Sequence, residues 1–231
     1  GKELPAGSTD ADGLEALAIL AAHPITARFL AFKLVRRFVA DDPPVGLVSR
    51  VADVYESSDG DIREMLRVVF LSEEFSGAPK KMKRPYTYMV SALRVLNAEV
   101  RWRGYRQLWD WLVAMGQPLF NWPPPDGYPD VSEAWAANLL PRWNFAAALA
   151  GEDLPGVRFP LDDILQAGDV QDVPEAIRLL YGLLFGSAAD RELLAAYENH
   201  AGGGDPFEDD SRQRLRESIA LMLASPAFQW V

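Results

Sequence analysis

Apolar residues recur at three- and four-residue spacing along nearly the whole chain, and alternating runs of strand length are almost absent. The pattern predicts an all-α protein: an irregular multi-helix bundle with no substantial sheet. Leu14, Leu17, Ala18 and Ala21 begin it. A second helix has Pro24 in its first turn and continues through Phe29, Leu30, Leu34 and Phe38. Lys33, Arg36 and Arg37 stand toward its end, where cations complement the free carbonyls. Asp42 before Pro43 and Pro44 reads as an N-cap with prolines in the first turn of a helix through Leu47, Val48, Val51 and Tyr55.

The Ser, Asp and Gly residues at 57–61 should turn the chain and cap a helix from Ile62 to Leu71, with Ser72 capping a short one behind it. Further helices are expected at 85–97, 104–115, 132–150, 160–166, 174–185, 187–200 and 209–224. Their start signals include Pro85, Ser132, Pro160, Pro174, SAAD at 187–190 and DDS at 209–211. Pro141 should break or kink the 132–150 segment. LRVVFLSEEF at 66–75 echoes IALMLASPAF at 219–228, each an apolar helix stopping at a serine turn whose Phe folds back on the core. The segment GEDLPGVRF at 151–159 is a candidate boundary. It divides the chain into 1–155 and 156–231, the second part packed on the same core and a single domain remaining possible.

One stretch escapes the helical pattern. GQPLFNWPPPDGYP at 116–129 holds five prolines, two glycines and three aromatics, which excludes a helix or a central strand. Six of the seven tryptophans lie between residues 102 and 143, around this loop. Two readings stay open. In one, Phe120, Trp122, Asp126, Tyr128, Trp135, Asn138 and Arg142 form a contact surface or pocket, with aromatic faces for stacking and polar groups for orientation. In the other, the loop is a proline-stiffened cover whose aromatics plug a helix end.

Composition narrows the chemistry. The net charge of −10 argues against a general nucleic-acid or anionic-membrane binder, and the basic run KKMKR at 80–84 reads as a solvated interhelical loop. The absence of cysteine excludes disulfides, thiolate metal sites and a Cys nucleophile. His23 and His200 are the only histidines and are read structurally, His23 closing a helix start and His200 near a helix end. No spacing of carboxylates selects a catalytic pair. GGGDPFEDD at 202–210 lacks the alternating Ca²⁺-loop pattern and reads as a solvated acidic turn. No GxSxG, Walker or GxGxxG motif occurs. No catalytic residue, cofactor or metal is therefore assigned, no run of apolar residues is long enough for a membrane span, and a non-enzyme is favoured.

Four blocks taken together resemble a known family: HPITARFLAFKLVRRFVADDPP at 23–44, SDGDIREMLRVVFLSEEF at 58–75, MGQPLFNWPPPDGYP at 115–129 and AWAANLLPRWNFA at 134–146. In this order they are similar to the bacterial domain-of-unknown-function family 1800, over about residues 13–155. The resemblance implies the C-terminal portion of a longer, exported protein, periplasmic or at the cell surface. Such proteins are often encoded beside an exported sulfatase-like protein, which becomes the expected partner. It carries no catalytic residues over. Two functions follow as expectations: a non-catalytic scaffold or accessory module, or alternatively a hydrolase or carbohydrate-binding domain with a Trp-lined acidic cleft at 120–143, for which a small-molecule or glycan ligand is open.

Overall fold

The computed structural model describes residues 10–186 and 190–231, and several of its helices begin at a side-chain cap that the local sequence supplies. The chain divides into two compact units, residues 1–81 and 82–231. The division falls within the basic run at 80–84; the 155/156 position lies inside the second unit.

In the first unit, α1 (Asp10–Ala21), α2 (Pro24–Phe38), α3 (Val45–Ser57), α4 (Ile62–Phe70) and α5 (Glu73–Ser76) surround one small core. Ala27, Ala31 and Val35 recur every fourth residue on α2, so a small-residue stripe lets α2 approach Leu47 and Val51 of α3, with Met65 and Val69 of α4 closing the cluster. His23 caps α2, its Nδ1 accepting from the Ile25 amide at 3.2 Å. Asp61 caps α4 through the Arg63 and Glu64 amides, and Ser72 caps α5 through Phe75. Asp42 does not cap α3. That helix starts at Val45, and Pro44 keeps an extended ψ of 119°. Each residue before a proline is pushed out of the helical region, so the Pro43–Pro44 pair delays the helix instead of opening it.

The second unit contains α6 (Pro85–Val95), α7 (Trp102–Ala114), α8 (Glu133–Ala136), α9 (Leu140–Ala150), α10 (Leu161–Ala167), α11 (Val173–Phe185), α12 (Arg191–Ala201), α13 (Asp209–Ala224) and α14 (Pro226–Gln229). Two short strands, β1 (Glu99–Val100) and β2 (Val157–Arg158), pair antiparallel as Glu99↔Arg158 and Val100↔Val157. The fold is all-α. Phe145 and Leu149 of α9 share a core with Ile219 and Met222 of α13, Ile177 and Leu180 of α11, and Tyr88 and Ala92 of α6. Residues before and after 155 contribute to that core alike.

The segment at 132–150 is two helices. Residues 137–139 interrupt it, and Pro141 stands in the first turn of α9, where its missing N–H costs nothing. Ser132 leaves α8 without a side-chain cap; its hydroxyl instead accepts from the Met82 amide at 3.1 Å. Of the SAAD start signal at 187–190, Asp190 falls among the described residues and caps α12 through the Glu192 and Leu193 amides, 187–189 lying outside them. The basic run is not a solvated loop. Met82 is buried, Lys81 pairs with Asp41 at 3.0 Å, and Lys83 lies 3.9 Å from the centre of the Phe228 ring. In the echoed segments Phe228 is buried at 3% exposure whereas Phe75 is 37% exposed, so only the second copy folds its Phe fully into a core.

Candidate functional site

The loop 116–129 is held at both ends by its own polar groups. Gly116 turns out of α7 at φ +86°, a left-handed value suited to glycine. Buried Gln117 accepts from the Tyr86 amide through its side-chain oxygen at 2.9 Å. Asn138 donates to the Ala114 carbonyl at 3.1 Å, satisfying a free acceptor at the end of α7. Tyr128 donates its hydroxyl to the Pro118 carbonyl, which ties the two ends of the loop together.

Inside that frame the aromatics stack on one another. The Trp122 and Tyr128 ring centres are 4.8 Å apart, and those of Tyr128 and Trp135 are 6.1 Å apart, both tilted. The Trp122 indole donates to Asp126 Oδ1 at 3.0 Å, and the Trp135 indole donates to the Pro129 carbonyl at 3.1 Å. These three rings form a ladder, so they do not face each other across an open cleft. Trp135 is 5% exposed and Arg142 fully buried, which removes both from any surface. Trp122 keeps 37% exposure, Asp126 is exposed and Asn138 is half-buried. Phe120 is different from all of these. Its side chain is fully exposed, and its backbone sits at φ +59°, a region that bulky residues seldom occupy.

Arg142 belongs to an internal polar group. Its Nη1 donates to Gln229 Oε1 at 2.9 Å, its guanidinium carbon is 5.4 Å from the Tyr88 ring centre, and Nε and Nη2 have no hydrogen-bond partner among the described residues. Burial lowers Arg142 to about 10 and pushes the Tyr88 phenol up.

A groove absent from the sequence reading opens between α9, α12 and α13. It encloses about 580 Å³ and is lined by Trp143, Ala147, His200, Glu217, Leu221 and Ser225 among others. Trp143 is 45% exposed there. Nothing in the sequence joins residue 143 to residue 200; only the packing of α12 and α9 on α13 brings them together. Among the described residues no group of three or more His, Cys, Asp or Glu side chains converges to hold a metal. Also among these residues, no single helix is long and apolar enough to cross a membrane.

The arrangement thus defines an all-α protein whose best-formed surface feature is a pre-shaped aromatic loop. A family model described as protein of unknown function (DUF1800) matches residues 1–230, and the chain belongs to that family. The match takes in the C-terminal helices as well as the blocks before residue 155. No curated protein and no solved structure matches the chain significantly.

Proposed function

We propose that this chain is a non-catalytic accessory or scaffold module, and that it meets a partner protein through the tip of the 116–129 loop. The observation that carries the reading is Phe120, bare to solvent in a left-handed backbone conformation. Neither its exposure nor its backbone favours the folded chain, and strain kept without a packing reward is the pattern of a residue retained for contact. Trp122 extends the apolar tip, with Asp126 and Asn138 at its polar edge. The ladder beneath holds the tip in one shape, which lowers the ordering cost of binding.

The setting is the one implied by the family resemblance: an exported bacterial system, periplasmic or at the cell surface, with a co-encoded sulfatase-like protein as partner. Affinity capture of such a partner by the wild-type chain, lost in Phe120→Ser and weakened in Trp122→Ala, is the expected result. Equal capture by Phe120→Ser overturns the loop as the contact.

The rival reading of a ligand-binding or hydrolytic cleft finds little support in the loop itself, where Asp126 is engaged by an indole and Arg142 is buried, and of residues 120–143 it keeps Trp143. The groove of Trp143, His200 and Glu217 has the size of a small-ligand site, its apolar walls bordered by a few polar groups. Quenching of Trp143 fluorescence by a bound ligand, absent in Trp143→Phe, would favour that reading.

A further inference from the structure

The start of α7 reads RWRGYR at 101–106, three arginines interleaved with two aromatics in a chain of net charge −10. Trp102 is 86% exposed and Tyr105 61% exposed. Arg101, Arg103 and Arg106 are exposed as well, and none of their side chains makes a hydrogen bond or ion pair with a described residue. A bare tryptophan beside unpaired guanidinium groups calls for an external partner more strongly than a scattered surface aromatic does.

The geometry is a pocket rather than a flat patch. Trp102, Arg103, Tyr105, Arg106, Gln107 and Pro155 border a hollow of about 490 Å³. Trp102, Tyr105 and Arg106 fall at i, i+3 and i+4, so they share one helix face. The two rings meet edge to face, 6.4 Å apart at 66°, and Trp102, 86% exposed, keeps ring surface open to solvent. The platform beneath is rigid. Gly104 and Gly156 touch so closely that a Cβ on Gly104 would lie 2.5 Å from the Gly156 carbonyl oxygen. The Arg101 amide donates to that same carbonyl at 2.8 Å, fixing the helix start against the turn before β2.

We infer that this pocket binds an acidic saccharide, the sugar ring lying on the Trp102 face and its carboxylate, sulfate or phosphate held by Arg103 and Arg106. The hollow has room for one or two rings, and guanidinium groups match planar or tetrahedral oxyanions through paired N–H donors. The edge-to-face aromatics offer one stacking surface and not the parallel pair that would clamp a nucleobase. The chain's overall negative charge disfavours a long polyanion such as nucleic acid, whose affinity rests on many phosphate contacts.

The test is calorimetric titration of the whole chain with disaccharides bearing a carboxylate, a sulfate or a phosphate, beside their neutral counterparts. At least one acidic disaccharide is expected to bind saturably, with the neutral sugar about tenfold or more weaker. Trp102→Ala should abolish binding, and the double variant Arg103→Ala/Arg106→Ala should weaken it by at least about tenfold and flatten its salt dependence. All three positions are exposed, so far-UV circular dichroism should not change. Binding of none of the acidic sugars, equal binding of the neutral ones, or retention in Trp102→Ala overturns the assignment. So does saturable binding only of a single-stranded oligonucleotide or of anionic lipid vesicles, included as parallel arms.

Discussion

Arg142 and Tyr88 grip each other in two ways: the guanidinium carbon sits 5.4 Å from the phenol ring centre, and the Tyr88 hydroxyl donates to the Arg142 carbonyl at 3.1 Å. The pair joins α9 to α6 at the centre of the second unit. Among the described residues, Gln229 supplies the one side-chain acceptor for the guanidinium.

That charge is underpaired, which predicts an uneven response to substitution. Arg142→Ala removes packing and leaves Gln229 Oε1 bare, and is expected to cost about 3 kcal/mol. Arg142→Met keeps most of the volume and removes the buried charge, and should recover most of that loss. Urea unfolding of the two variants checks the order; a methionine variant as unstable as the alanine one would contradict it.

Lys83 gives a pH signature. Desolvation lowers it to about 8 from an ordinary 10.5, as it lies half-buried over Phe228. Below pH 8 it is protonated in both folded and unfolded chains, and the folded state bears the whole cost of the buried charge. As pH rises through 8 the folded chain sheds the proton first, so the unfolded chain holds more protons and stability rises until about 10.5. Lys83→Met is therefore expected to be more stable than wild type at pH 7, with the difference shrinking between pH 8 and 10. Above pH 10 two other groups act in opposite directions. The folded chain holds the Tyr88 proton longer than the unfolded chain, lowering stability, and releases the Arg142 proton earlier, raising it. Thermal denaturation of both proteins across this range is the measurement.

Phe120 predicts a trade of stability against contact. Phe120→Gly relieves the left-handed strain and removes an exposed ring, and is expected to raise stability by up to about 1 kcal/mol. Phe120→Asn should gain less, since asparagine tolerates that region better than phenylalanine but not as freely as glycine. Partner capture should fall in both. A loss of stability in the glycine variant would mean that the ring packs on something in solution.

Gly156 should tolerate no side chain. At φ +83°, a Cβ there would come within 2.4 Å of the Gly104 amide nitrogen. Gly156→Ala is expected to cost at least about 2 kcal/mol and to loosen the β1–β2 pairing. Amide exchange at Arg101, which donates to the Gly156 carbonyl at 2.8 Å, compared with exchange in α13, reads that loosening locally.

Much of the helical skeleton was legible along the chain, because caps and periodicity act over three or four residues. His23, Asp61 and Ser72 close their helices through amides two or three positions away. Asp42 misled the reading because its cap competes with the restriction that consecutive prolines place on the residues before them. GEDLPGVRF looked like a boundary since its glycines and proline break any helix, but the same residues supply β2 and the close approach of Gly156 to Gly104.

The candidate site divides in the same way. Sequence alone determined that the chain is helical, that one loop interrupts it, and that aromatic residues gather around that loop, for all of this follows from local spacing and composition. Tertiary structure alone decided which of those side chains meets solvent. Trp135 and Arg142 went inward, Trp122 and Tyr128 were stacked on each other, and Phe120 was left bare. Burial depends on which distant helices cover a face, and the partners of Arg142, at Tyr88 and Gln229, stand 54 and 87 residues away along the chain.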